Sequence, residues 1–179
     1  ALGKINIKNS SSLISTGAAD FTGMGNASLI TDETSNLTLV AGATAFPTGS
    51  IKFNNLSLTT AGTLALTADI TVYGNLSVGT GATLTKGTHA LTVYGDLSST
   101  GTTTLGDAGA VSLYGQLQGT GITFNANTDL NILGTSSQLI MPTGTIAALG
   151  KLTLNRPSGM KLNGNITALG IAAANGLVI

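Results

Sequence analysis

Cysteine and tryptophan are both absent from the 179 residues. Without cysteine there is no disulfide framework and no thiolate metal site. Charge is nearly as scarce. Charged residues make up 8% of the chain, where about 25% is usual. Seven Lys plus Arg stand against seven Asp plus Glu, a net charge of zero, which excludes the basic surface that nucleic acid requires. Nothing recurs at i, i+3, i+4, i+7, so an amphipathic helical bundle is excluded too. No apolar run reaches the roughly 18 residues of a membrane helix, because Thr, Gly and Asn interrupt every stretch. A transmembrane barrel would show segments of about ten residues between aromatic girdles. The segments here are shorter, and aromatics are only 4% of the chain. Disorder is excluded by a hydrophobic fraction of 42% without net charge.

What is abundant is Gly, at 25 residues, with 29 Thr, 15 Ser and 14 Asn. These residues are arranged in repeats. Ile70-Thr71-Val72-Tyr73-Gly74-Asn75-Leu76-Ser77 aligns without gaps with Leu91-Thr92-Val93-Tyr94-Gly95-Asp96-Leu97-Ser98 and with Val111-Ser112-Leu113-Tyr114-Gly115-Gln116-Leu117-Gln118. Leu130-Asn131-Ile132-Leu133-Gly134 is a weaker fourth copy. Longer echoes place Leu56, Leu58 and Leu64 on Leu152, Leu154 and Met160, and Ile5, Ile7 and Leu13 on Leu56, Leu58 and Leu64. Within each copy the apolar residues alternate, the signature of short half-buried strands. Clusters such as Gly79-Thr80-Gly81 and Gly106-Asp107-Ala108-Gly109 supply the positive φ of tight corners.

Repeats that align in register, rather than in mirror order, favour stacked coils over antiparallel hairpins. The expected fold is all-β: a parallel β-solenoid with coils of about 20 residues, equivalent residues lying one rung of ~4.8 Å apart. Val72, Val93 and Leu113 form one core ladder, and Leu76, Leu97 and Leu117 another. Gly74, Gly95 and Gly115 mark a corner. Such stacking also accounts for the missing charge. Like charges one rung apart repel, whereas Thr, Ser and Asn ladders hydrogen-bond along the axis. The chain reads as a single solenoid domain over residues 1–179, with 16–50, which holds Phe21, Met24, Phe46 and the acidic pair Asp32-Glu33, as less regular coils with larger loops. The start without Met or a signal segment, and the apolar end Leu177-Val178-Ile179, are those expected of a piece of a longer secreted chain.

Candidate chemistry is thin. His89 is the single histidine and reads as a solvated turn residue. Asp69, Asp96, Asp107 and Asp129 read as corner caps rather than paired catalytic carboxylates. Arg156 is the lone arginine and lies beside Pro157 in a turn. Calcium-binding nonapeptides and phosphate-binding glycine loops are absent. The Asn-x-Ser/Thr triplets at Asn26, Asn36, Asn55, Asn75 and Asn165 follow from composition. No catalytic, cofactor-binding or metal-binding residues are expected.

Tyr73, Tyr94 and Tyr114 each follow an inward apolar residue and so point outward. They form the best candidate ladder for a ligand or partner, with packing at a corner as the simpler role. The Thr83/Thr85, Thr102/Thr104 and Thr143/Thr145 pairs raise ice binding. They do not visibly fall on one repeat position, so that role is not favoured.

Phe53-Asn54-Asn55-Leu56-Ser57-Leu58, followed by Leu64-Ala65-Leu66 and Ile70-Thr71-Val72-Tyr73-Gly74-Asn75-Leu76-Ser77-Val78, resembles the low-charge repeats of large secreted or cell-surface adhesin-like proteins of Bacteroidetes and relatives. The likeness covers most of 51–179 and, more weakly, 1–15. Tyr73, Tyr94 and Tyr114 stand where those repeats more often carry Asn or Thr. The resemblance implies a β-solenoid in an extracellular or surface protein. The expected role is a non-enzymatic structural or adhesive module, a surface rod or part of a filament. Its partners would be other copies of itself, flanking domains of the same chain, or surface glycans and proteins. A carbohydrate-binding module on the Tyr ladder is the alternative, with an ice-binding solenoid behind it.

Overall fold

Alternating sequence becomes alternating burial. In Asp69–Val72 the residues Ile70 and Val72 point inward while Asp69 and Thr71 face out. Val111 and Leu113 of Ala110–Leu113, and Leu130 and Ile132 of Asp129–Ile132, repeat the pattern. The computed structural model describes residues 5–21, 29–47, 49–125, 127–135, 137–141, 149–161 and 177–178. Among them there is no helix, and every strand pairing is parallel. The fold is a parallel β-solenoid.

Each central coil has three faces. The first is a seven-stranded sheet running from Ser50–Phe53 through Asp69–Val72, Leu91–Val93, Ala110–Leu113, Asp129–Ile132 and Lys151–Leu154 to Leu177–Val178. The second and third faces are joined in the long strands Asn36–Ala45 and Asn55–Ala65, which run round the bend between them. In later coils they separate. Leu76–Val78, Leu97–Ser99 and Leu117–Gly119 continue the second face, and Thr83–Thr85, Thr102–Thr104 and Ile122–Thr123 the third.

The core is a set of vertical ladders between these walls. Ile51, Ile70, Leu91, Val111, Leu130 and Leu152 stack in one. Phe53, Val72, Val93, Leu113, Ile132 and Leu154 stack beside it. On the second face Leu37, Leu56, Leu76, Leu97 and Leu117 stack in register. Nearly all of these side chains are fully buried, each contributing about 1.5–3 kcal/mol of transfer free energy. Polar exceptions occur: Thr44 takes the inward position of Leu64, and a later coil carries a pair. Ser99 takes the inward position of Val78 and Thr103 that of Leu84. The Thr103 hydroxyl donates to Ser99 Oγ at 2.9 Å, so the two satisfy each other inside the core.

The longer echoes are not spatial equivalences. Leu152 and Leu154 stack on Leu130 and Ile132 in the first face, not in the column of Leu56 and Leu58. Leu13 pairs with Leu37, and through it with Leu56, while Ile5 pairs with Leu29. A Leu-x-Leu alternation looks the same on every wall, so leucine matches alone do not say which wall a segment builds.

In the 16–50 stretch Phe21 and Phe46 turn inward and join Phe53, with ring centroids 6.1 and 5.7 Å apart. Asp32 closes the turn before Asn36. Its carboxylate accepts from the backbone and hydroxyl of Thr34, bonds that hold its pKa below the usual carboxylate range. Met24 lies outside the described residues.

Candidate functional site

The corner between the first and second faces carries the tyrosines. Each N–H bonds one rung down: Tyr73 to the Phe53 carbonyl, Tyr94 to Val72 and Tyr114 to Val93, at 2.8 to 2.9 Å. The rings follow the rungs. Tyr73 and Tyr94 lie 5.1 Å apart at 6° and Tyr94 and Tyr114 4.4 Å apart at 20°. Tyr94, in the middle, is 42% exposed. Its phenol pKa is raised by desolvation first, then by the two neighbouring phenols. Because the rings cover one another's faces, Tyr94 offers solvent only its edge and hydroxyl. Sugar rings stack on open aromatic faces, and the stack leaves Tyr94 none.

Two further features hold this corner. Gly74, Gly95 and Gly115 are needed for close approach rather than for positive φ. A Cβ on Gly95 would fall 2.6 Å from the Gly74 carbonyl carbon, and one on Gly115 would likewise meet Gly95. The positive φ expected of the turn clusters is found at Gly81, Gly109 and Asp107. Beside the glycines runs an amide ladder. Asn55 Oδ1 accepts from the Asn75 N–H at 2.8 Å, Asn75 Oδ1 from the Asp96 N–H at 2.9 Å, and Asp96 Oδ1 from the Gln116 N–H at 2.8 Å. These bonds occupy Asn36, Asn55 and Asn75 structurally, Asn36 Oδ1 accepting from the Asn55 side chain. Asn26 and Asn165 lie outside the described residues.

Above the ladder sits Arg156, only 4% exposed. Its guanidinium donates to the carbonyls of Leu133, Ser137, Tyr114 and Gly115. Burial lowers its pKa and Asp96 opposes the shift, but a guanidinium remains charged. Sequence reading placed this arginine in a turn without a task. Its task is to collect carbonyls where the Tyr-Gly repeat ends.

Removing the middle ring tests the stack. Tyr94→Ala is expected to lower stability by about 1–3 kcal/mol, because two ring pairs are lost together. Urea unfolding, compared with Tyr94→Phe, measures it. A loss no greater than that of Tyr94→Phe would mean the rings contribute nothing by stacking.

The opposite corner holds Lys86, which the sequence reading did not single out. It is fully buried, and its ammonium donates to the carbonyls of Gly87, His89, Ala108 and Gly109 at 2.8 to 3.0 Å. Desolvation lowers its pKa, with Asp107 and Asp69 opposing. His89 is half-buried, its Nδ1 3.8 Å from Asp69 Oδ1. Asp69 also caps the Ala90 N–H, as Asp96 caps Gln116. Asp107 exchanges bonds with Asn125. Asp129 stands exposed at the start of its strand. These carboxylates serve separate rungs. Among the described residues no three His, Asp or Glu side chains gather as metal ligands.

The outer surfaces of the walls differ. On the second face the hydroxyls of Ser57 and Ser77 bond each other at 3.0 Å, beside a shallow trough shared with Ser98 and Gln118. On the third face Thr83 is paired with Thr63 and Thr102, and Thr85 with Thr104. The two Thr-x-Thr segments therefore do share one repeat position, contrary to the sequence reading. Thr143 and Thr145 lie outside the described residues. Comparison with family models, with curated proteins and with solved structures gives no match to this chain.

Proposed function

We propose that the chain is a non-enzymatic, extracellular structural or adhesive module: a β-solenoid rod displayed at a cell surface or built into a filament. The supporting observation is the unbroken in-register stacking of the first face from Ser50–Phe53 to Lys151–Leu154. Each rung is hydrogen-bonded to the next and carries like residues over like. Such a wall transmits length and stiffness, because stability is shared between neighbours along one axis. A nearly uncharged Thr, Ser and Asn exterior keeps it insensitive to salt. Its partners are other copies of the chain, flanking domains or surface molecules, as the resemblance to adhesin-like repeats suggests. The carbohydrate-binding alternative loses support from the mutually covered tyrosine faces.

Immunogold electron microscopy of intact source cells tests the reading. Label on the outer surface, on short rods or continuous fibres, is the expected result. Label confined to the cell interior would overturn it.

A further inference from the structure

We propose that the third face binds ice. This goes beyond the structural role and does not rest on it. The face is built by strands whose outward positions are threonine, alanine or glycine, with threonine in the majority. Thr63, Thr83 and Thr102 form one column, and Thr85, Thr104 and Thr123 a second. The remaining outward positions on these rungs and the one before are Ala43, Ala45, Ala65 and Gly121. Within these rungs no charged or long side chain interrupts the array; exposed Asp20, paired with Ala45, stands at its end. It is a two-dimensional grid, with ~4.8 Å between rungs and about 6.6 Å between alternate residues of a strand. Hexagonal ice repeats its surface oxygens over distances of the same size.

The state of the hydroxyls is the second observation. Thr, Ser and Asn ladders were expected to bond along the axis, and on the second face Ser57 and Ser77 do. On the third face the Thr123 hydroxyl donates to the Thr103 carbonyl at 3.4 Å, whereas Thr63, Thr83, Thr85, Thr102 and Thr104 make no side-chain hydrogen bond within the protein, among the described residues. Their donors and acceptors are left to water, at fixed spacing. Threonine is stiff at χ1, and the strands of Thr63, Thr83–Thr85 and Thr102–Thr104 are each held by a neighbour on either side, with Ile122–Thr123 at the edge, so most of the grid is set before water arrives. Methyl groups at the same positions hold water in cages rather than binding it tightly, while the hydroxyls tie those cages to the wall. A charged face would instead keep its own hydration shell, which does not match the crystal. The ligand that fits such a surface is an extended lattice of water.

The test uses the whole chain in recrystallisation and thermal-hysteresis assays, with circular dichroism to verify folding. The wild type is expected to slow recrystallisation and facet growing crystals. Thr83→Tyr and Thr102→Tyr, which raise a bulky ring from the grid, are expected to reduce activity about tenfold or more, equivalent to ~1.4 kcal/mol in binding. Thr92→Tyr, on the first face, is expected to retain it. Where a tyrosine prevents folding, Thr83→Ser removes only the methyl and should also lower activity. Wild-type ice growth indistinguishable from that with albumin would overturn the proposal, as would equal loss in Thr92→Tyr. So would a face that binds crystalline polysaccharide, or a second copy of the chain, without acting on ice.

Discussion

Gly95→Ala is expected to destabilise the solenoid by about 3 kcal/mol, the upper end of what overpacking costs. The added methyl has nowhere to go. It would lie 2.6 Å from the carbonyl carbon of Gly74 and also press on that carbonyl oxygen and on Asn75 Oδ1. The atoms it meets include main chain held in the ladder, since the Gly95 N–H itself bonds the Gly74 carbonyl at 2.9 Å. Relief would require the Tyr94 and Tyr73 rungs to move apart, disturbing ring stacking and the amide ladder together. Gly17→Ala is the matched control. No atom lies within 4 Å of its added carbon and its φ is not left-handed, so a change within about 0.5 kcal/mol is expected. Equal shifts of the two urea midpoints would show that the corner glycines are not there for close approach.

Lys86→Met should cost a similar amount, about 3 kcal/mol, for a different reason. Methionine retains most of the stem and its packing but supplies no donor. The carbonyls of Gly87, His89, Ala108 and Gly109 then face a buried corner without a partner for the lone pairs they direct at the ammonium. An acceptor left unsatisfied costs about 1–3 kcal/mol. That penalty is offset in part by no longer burying a charge, which alone is unfavourable. Lys151→Met, at the half-exposed start of the strand Lys151–Leu154, is expected to change stability by less than about 0.5 kcal/mol. Thermal or urea unfolding of the two variants decides the matter. If Lys86→Met proves as mild as Lys151→Met, the four carbonyls do not depend on the ammonium.

The repeat register around Tyr73, Tyr94 and Tyr114 was readable from sequence because three residues in a row, Tyr-Gly and an inward apolar neighbour, recur in the same order. That triplet fixes which rung lies on which. The leucine echoes misplace Leu152 because alternation encodes only inside against outside, and three walls share that code. Lys86 and Arg156 were illegible for a related reason. A cation in a Gly-rich turn looks solvated, and only the stacking of Ala108 and Gly109 against Thr88 and His89 brings four carbonyls to one nitrogen. The threonine grid was hidden by uneven coil length. From Thr63 to Thr83 is a step of 20 residues and from Thr83 to Thr102 a step of 19, so a search at a fixed period slides off the column. The signal that finds it is the inward residue between the threonines, Leu64, Leu84 and then Thr103, which keeps its place in the core.

The amide ladder from Asn55 to Gln116 has a direction. At each step an oxygen on the earlier turn receives an N–H from the later one, so a turn that has already formed presents acceptors to the stretch of polypeptide that follows. A chain threaded out of a ribosome or a narrow export pore, leading end first, can wind itself up as it emerges. Every new layer finds its template complete, and each layer laid down hinders the thread from slipping back.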